Sequence, residues 1–167
     1  DLDFFLQQKV MQVKFVDRTF NCNRRHARMI WQYLMDHDNG VTNFHMEITA
    51  DLLDEDTLTM LQRARKGLFQ FEIGVQTTNP KTMQAIRRAV SFEKLSQVVR
   101  RIKAMENIHV HLDLIAGLPF EDYDSFGRSF DDVYRLEPEQ LQLGFLKLLK
   151  GSGLRRDAEN YEICFRS

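Results

Sequence analysis

The sequence has 167 residues, 43% hydrophobic and 28% charged, with a net charge of −1. That length allows one domain with a core of its own. The near-neutral balance lacks the basic footprint of a protein that binds nucleic acid or an anionic membrane surface. No apolar run is long enough to span a bilayer and no signal-like segment is present, so a cytoplasmic location is expected. Cys22 and Cys164 lie far apart without ligand spacing, which excludes a disulfide scaffold and reads as two reduced thiols.

The first ten residues, "DLDFFLQQKV", place Leu2, Phe5 and Leu6 at helical spacing without a capping residue before them, as in the last turns of a helix that begins upstream. The expectation is a piece of a longer protein. A first strand follows at "VMQVKFVD" from Val10. The run "NRRHARMIWQYLMDHD" carries Ala27, Ile30, Trp31 and Leu34 on one helical face. A second strand begins at Val41 ("VTNFHMEIT"), then a helix with an acidic first turn at "DEDTLTMLQRARK". A third strand begins at Leu68 ("LFQFEIGVQ"), and Asn79 and Pro80 sit at the cap and first position of the helix after it. Ser91 caps a further helix, a fourth strand begins at Ile108 ("IHVHLDLIAG"), "DYDSFGRSFDDVYRL" is amphipathic, and a fifth strand begins at Gln140 ("QLQLGFLKL").

Strand starts about 30 residues apart, with a helix between each pair, are the signature of βα units and a parallel sheet with right-handed crossovers. Buried parallel strands usually read as continuous apolar runs. These alternate instead. His45 and Glu47 share one face of the second strand; Gln70, Glu72, Gly74 and Gln76 one face of the third; His109, His111 and Asp113 one face of the fourth; Gln140, Gln142 and Gly144 one face of the fifth. The opposite faces are apolar: Phe44, Met46 and Ile48, then Phe69, Phe71, Ile73 and Val75, then Ile108, Val110, Leu112 and Leu114. The apolar side must meet the helices, and the polar side must line a cavity, since each buried unpaired polar group costs about 1–3 kcal/mol. The predicted fold is an α/β partial TIM-type barrel of five βα units over residues 1–150, with a following segment beginning at 151–167. Ligands in such folds sit at the carboxyl ends of the strands. There the sequence offers Asp17, Asn21 and Asn23, then Glu47 and Thr49, then Gln76 to Asn79, then Asp113 and Gly117 to Pro119. These suit an ammonium, a ribose or an adenine edge, and Arg87 and Arg88 suit a carboxylate.

The stretch "EIGVQTTNPKTMQAIRR" followed by "HLDLIAGLPFED" resembles the second half of a radical S-adenosylmethionine domain. The resemblance is to the branch that holds oxygen-independent coproporphyrinogen oxidases, methylthiotransferases and cobalamin-binding enzymes such as the anaerobic Mg-protoporphyrin IX monomethyl ester oxidative cyclase. The matching positions are Gly74-Val75-Gln76-Thr77, Arg88, and Asp113 through Pro119. Thr77 stands where the family usually has Ser, and Phe120 where it usually has Gly. "FVDRTFNCN" resembles a second-strand motif of the cobalamin-type members, and Glu47 matches a third-strand acid.

The resemblance implies a [4Fe–4S] cluster and S-adenosylmethionine, cleaved reductively to a 5′-deoxyadenosyl radical that abstracts hydrogen from a small-molecule substrate, a tetrapyrrole being one expectation. It also implies a reductant such as flavodoxin or ferredoxin, and allows cobalamin through a domain outside this chain. By the same resemblance, Glu47, Gln76 and Asp113 hydrogen-bond the amine and ribose, Gly117 turns beside the nucleoside, and Arg88 pairs with the methionine carboxylate. Leu146 and Lys147 lie near adenine or substrate, and Asp17 near substrate or amine. The family's CxxxCxxC loop is not in the sequence, so the cluster is expected to be held by residues ahead of Asp1 and no metal ligand is assigned here. Read without the resemblance, the same residues leave two alternatives: a metal-dependent βα-barrel hydrolase using His45, Glu47, His111 and Asp113, or a non-catalytic βα binding module.

Overall fold

In the computed structural model, which describes residues 1–164, five strands form one sheet: β1 (Gln12–Lys14), β2 (Asn43–Ile48), β3 (Phe69–Gln76), β4 (His109–Ala116) and β5 (Gln140–Phe145). All neighbours pair in parallel and the spatial order is the chain order. Monotonic order decides the architecture. Each right-handed crossover adds its strand on the same side, so the connecting helices fall on one face, and the sheet curls with its bare face inward. A doubly wound sheet needs a reversal of order, which is absent. The result is a half-barrel, as predicted.

The helices are α1 (Leu2–Gln7), α2 (Arg24–Asp36), α3 (Glu55–Leu61), α4 (Pro80–Ala85), α5 (Phe92–Ala104), α6 (Tyr123–Tyr134) and α7 (Gly153–Arg156). Short polar residues start them. The side chains of Asn23, Asp54, Asn79, Ser91 and Asp122 accept the amides of His26, Thr57, Lys81, Lys94 and Ser125. Pro80 occupies the first turn of α4, where its missing N–H is not needed. The segment expected to begin at 151 is described only as far as residue 164. No helix among the described residues is long and apolar enough to cross a membrane.

The convex face of the sheet carries the core. Phe44, Met46, Phe69, Phe71, Ile73, Val110, Leu112 and Leu114 are fully buried, against Trp31 and Leu34 of α2, Leu58 and Leu61 of α3, and Val99 and Ile102 of α5. Burying each large side chain contributes about 1.5–3 kcal/mol. The Trp31 indole N–H, which cannot be left bare in such surroundings, donates to Met46 Sδ at 3.1 Å. β1 is shorter than the apolar run suggested. Beyond Lys14 it makes one more ladder bond, Phe15 N–H to His45 O at 2.9 Å, and then leaves the sheet. On the concave face two side chains of β1 reach past β2 to β3: Gln12 Nε2 donates to Gln70 Oε1 at 3.2 Å and Lys14 Nζ to Glu72 Oε2 at 2.9 Å.

Candidate functional site

The concave face is polar along its length, and its carboxyl-end rim is organised around Gly74. In the β3–β4 register Gly74 faces Asp113, and the pairing then slips by one residue at a bulge, so that Gln76 faces Leu114. The bulge throws Gln76 into the left-handed region, φ +71, costly for any residue with a Cβ. Its side-chain amide folds back over Gly74, and a Cβ on Gly74 would overlap Gln76 Nε2. The Arg88 guanidinium, at the end of the α4 turn, donates to the Gly74 carbonyl. Three predicted site residues thus meet at one glycine. Each retains a buried polar atom without a protein partner: Gln76 Oε1, Arg88 Nε and Asp113 Oδ1. Burial disfavours the Arg88 charge, and Asp51 is the carboxylate that compensates it.

Asp113 is the most perturbed acid. Burial, followed by the charges of Glu72 and Glu47, pushes its carboxyl up to about 7. Glu47 is raised by the same two causes, burial first and then Glu72. Glu72 goes the other way: burial opposes its charge, but the Lys14 hydrogen bond and charge hold it below the usual carboxylate range. The charged pair of the floor is therefore Lys14–Glu72.

One pleat below the rim, His45, Glu72 and His111 come together from three adjacent strands, with ligand atoms within 4.8 Å of one another. His45 Nε2 lies 2.8 Å from Glu72 Oε2, and His111 Nε2 lies 3.0 Å from Asp113 Oδ1. Both are ion-pair distances, and His111 Nδ1 is buried without a partner. Burial lowers both imidazoles; Lys14 adds to this for His45, and these effects outweigh the pull of Glu72.

Gly117 turns the chain out of β4 with φ +88, and its open side faces Leu146. Lys147 and Asp17 are exposed, the latter in the loop after β1. Several other strand-end residues expected to greet a ligand brace the scaffold instead. Asn21 exchanges two hydrogen bonds with the Thr49 backbone, at 2.8 and 2.9 Å, and Asn23 caps α2. Thr77 donates to Glu121 at 2.5 Å, while Thr78 joins Ser129 and Asp132 at 3.2 and 3.0 Å, tying the end of β3 to α6. Asn79 caps α4. Arg87 faces solvent 3.8 Å from Asp157, so the guanidinium at the rim is that of Arg88 alone of the two. Lys14 is the residue that the sequence pattern was not read for, and Glu72, placed on the polar face, was given no role. Their signal was present: Gln12 and Lys14 alternate on β1 as His45 and Glu47 do on β2.

A family model described as the radical SAM superfamily matches residues 5–133. The chain belongs to this superfamily. Its relatives include the oxygen-independent coproporphyrinogen III oxidase of Pseudomonas aeruginosa, 30% identical over 110 residues, which are 66% of this chain and 23% of that protein. The corresponding protein of Thermostichus vulcanus is 34% identical over 80 residues, 47% of this chain and 25% of the relative. The chain thus spans about a quarter of the length of the curated radical SAM relatives it matches. Among solved structures, the radical SAM methyltransferase TsrM of Kitasatospora setae, with cobalamin and a [4Fe–4S] cluster bound, superposes with a TM-score of 0.72 at 15% identity, over 86% of this chain and 27% of that one. The coproporphyrinogen III oxidase of Escherichia coli gives 0.66 at 20% identity, over 89% and 37%. These likenesses agree with the half-barrel of the superfamily. With residues 5–133 matched to the radical SAM superfamily, a metal-dependent hydrolase and a plain binding module lose their support.

Proposed function

We propose that this chain is the S-adenosylmethionine-binding part of a radical SAM oxidoreductase, with Glu47, Gln76, Arg88 and Asp113 as the polar contacts. The carrying observation is the set of orphaned polar atoms on Gln76, Arg88 and Asp113 around Gly74. A cofactor with a carboxylate, an ammonium and ribose hydroxyls satisfies each of them. The guanidinium of Arg88, anchored through Gly74 O, receives the carboxylate. Asp113 accepts from hydroxyl or ammonium groups, and a cation beside it draws its proton off near pH 7. Glu47 adds a second acceptor one strand pair away, and Gly117 with Leu146 offers an open, apolar edge for a base. Lys147 and Asp17, both exposed, face the substrate side.

When bound, S-adenosylmethionine would supply the radical chemistry, which belongs to the cofactor, while these residues would hold and orient it. The cluster does not fit the residues present. It needs three thiolates, and the two cysteines here are exposed and unclustered, so its ligands belong to residues outside this sequence. Cobalamin is likewise assigned to a domain outside this chain, in line with neighbours solved with it. The reductant is a flavodoxin or ferredoxin, and the setting cytoplasmic. Relatives named for coproporphyrinogen, together with the motif resemblance, support a tetrapyrrole substrate, with Mg-protoporphyrin IX monomethyl ester the first to assay by mass spectrometry.

Calorimetric titration of the intact protein with S-adenosylmethionine tests the reading. Arg88→Ala and Asp113→Ala should each weaken binding about tenfold or more, the worth of a charge-assisted hydrogen bond. Unchanged affinity in both variants would overturn it.

A further inference from the structure

The floor of the half-barrel holds a second constellation that the cofactor contacts leave unused. His45 on β2, Glu72 on β3 and His111 on β4 point into the concave side with their ligand atoms within 4.8 Å of one another. Both imidazoles are more than nine-tenths buried, and the Nε2 of each lacks a hydrogen-bond partner. A polar atom buried bare costs about 1–3 kcal/mol, so two of them beside a carboxylate need a reason.

Three explanations compete. The first is a self-contained polar ladder, His45 with Glu72 at 2.8 Å and His111 with Asp113 at 3.0 Å, which still leaves His111 Nδ1 buried without a partner. The second is an anion site. That is opposed by charge, because Glu47, Glu72 and Asp113 lie close enough to repel one another. The third is a cation. Lys14 already demonstrates the preference by sending its ammonium to Glu72, from a side chain that is 55% exposed and free to swing away. Two imidazoles and one carboxylate are also the donor set that first-row divalent metals bind with open positions left over. Glu47 and Asp113 border the cluster and can orient or complete it.

We infer that His45, Glu72 and His111 form a divalent transition-metal site on the barrel floor, distinct from the iron–sulfur cluster, with Glu72 and His111 one pleat below Gly74 and Asp113. Metal entry displaces Lys14 from Glu72 and exchanges one positive group for a doubly charged one. The site draws on no residue beyond this sequence, and it does not rest on the cofactor assignment.

The test is zinc binding to the intact protein, by competition with a chromophoric chelator, alongside zinc-edge X-ray absorption. The wild type should bind one equivalent of Zn²⁺ with an absorption spectrum containing two imidazoles. His45→Ala and Glu72→Gln should each weaken zinc at least about tenfold, while S-adenosylmethionine affinity of His45→Ala stays within about twofold, a readout that separates this site from the rim. Zinc bound equally well by wild type and variants, or a first coordination sphere without imidazole, would overturn the inference. The absorption measurement on wild-type protein decides the matter even if a variant fails to fold.

Discussion

Gly74 and Gln76 are paired by exclusion: the amide of Gln76 occupies the space where a side chain on Gly74 would stand. A glycine is required here by the neighbouring side chain, since the left-handed φ belongs to Gln76. Gly74→Ala should therefore expel the Gln76 amide and weaken S-adenosylmethionine binding about tenfold, the worth of one hydrogen bond. Gln76→Ala should weaken it similarly. Adding Gly74→Ala to Gln76→Ala should cost little more, because the two act through the same amide. Additive losses in calorimetry would show that Gly74 serves the backbone instead.

Asp113 carries the clearest pH signature. Its folded carboxyl is raised to about 7, by burial and then by Glu72 and Glu47, well above its ordinary value. A group raised in the folded state gives its stabilisation below its unfolded pKa and loses it as pH climbs through the folded one, so ionised Asp113 burdens the fold above about pH 7. Asp113→Asn should accordingly stabilise the protein at pH 8, by roughly 1–2 kcal/mol after allowance for solvent relaxation, and by clearly less at pH 5, where only part of the interval between the unfolded and folded values has been crossed. Denaturant unfolding at the two pH values measures this. The same variant should lose S-adenosylmethionine affinity, and wild-type affinity should rise between pH 6 and 8 as the proton leaves. Equal stability differences at both pH values would refute the assignment.

Phe120 stands where the motif resemblance leads one to expect glycine, and its backbone suits one: its φ is +61. The exposed ring meets Tyr161 edge-on, with centroids 5.6 Å apart. Phe120→Ala keeps the backbone cost and loses the ring; Phe120→Gly loses both. The glycine variant should be the more stable of the two by about 1 kcal/mol, whereas elsewhere alanine wins. The midpoints of urea unfolding compare them directly.

Much of this fold is local, and local features are legible. The alternation in "HVHLDL" assigned the buried and lumen faces of β4 residue by residue, and Asn79, Pro80 and Ser91 marked two helix starts. What escaped depends on curvature or register. The left-handed Gln76 arises from a slip in pairing between β3 and β4, which a single strand cannot announce. Lys14 meets Glu72 across an intervening strand only once the sheet has curled. The bracing bonds of Asn21, Thr77 and Thr78 could not be read in advance, because an amide or hydroxyl at a strand end looks the same whether it greets a ligand or braces a loop. Likewise the approach of Glu72 to His45 and His111 joins three strands, which no single strand's pattern contains.

The reach of Lys14 and Gln12 over β2 has a mechanical meaning. Flat strands two apart stand roughly 9.5 Å from one another, and side chains joined across that gap act as chords of an arc, setting the radius of the sheet. Releasing Lys14 from Glu72 would cut one chord while leaving that of Gln12 and Gln70 in place. Any cation that took the ammonium's place would become the new chord, one that grips β2, β3 and β4 in place of β1 and β3. The identity of the cation on the floor would then tune how tightly the rim above it closes.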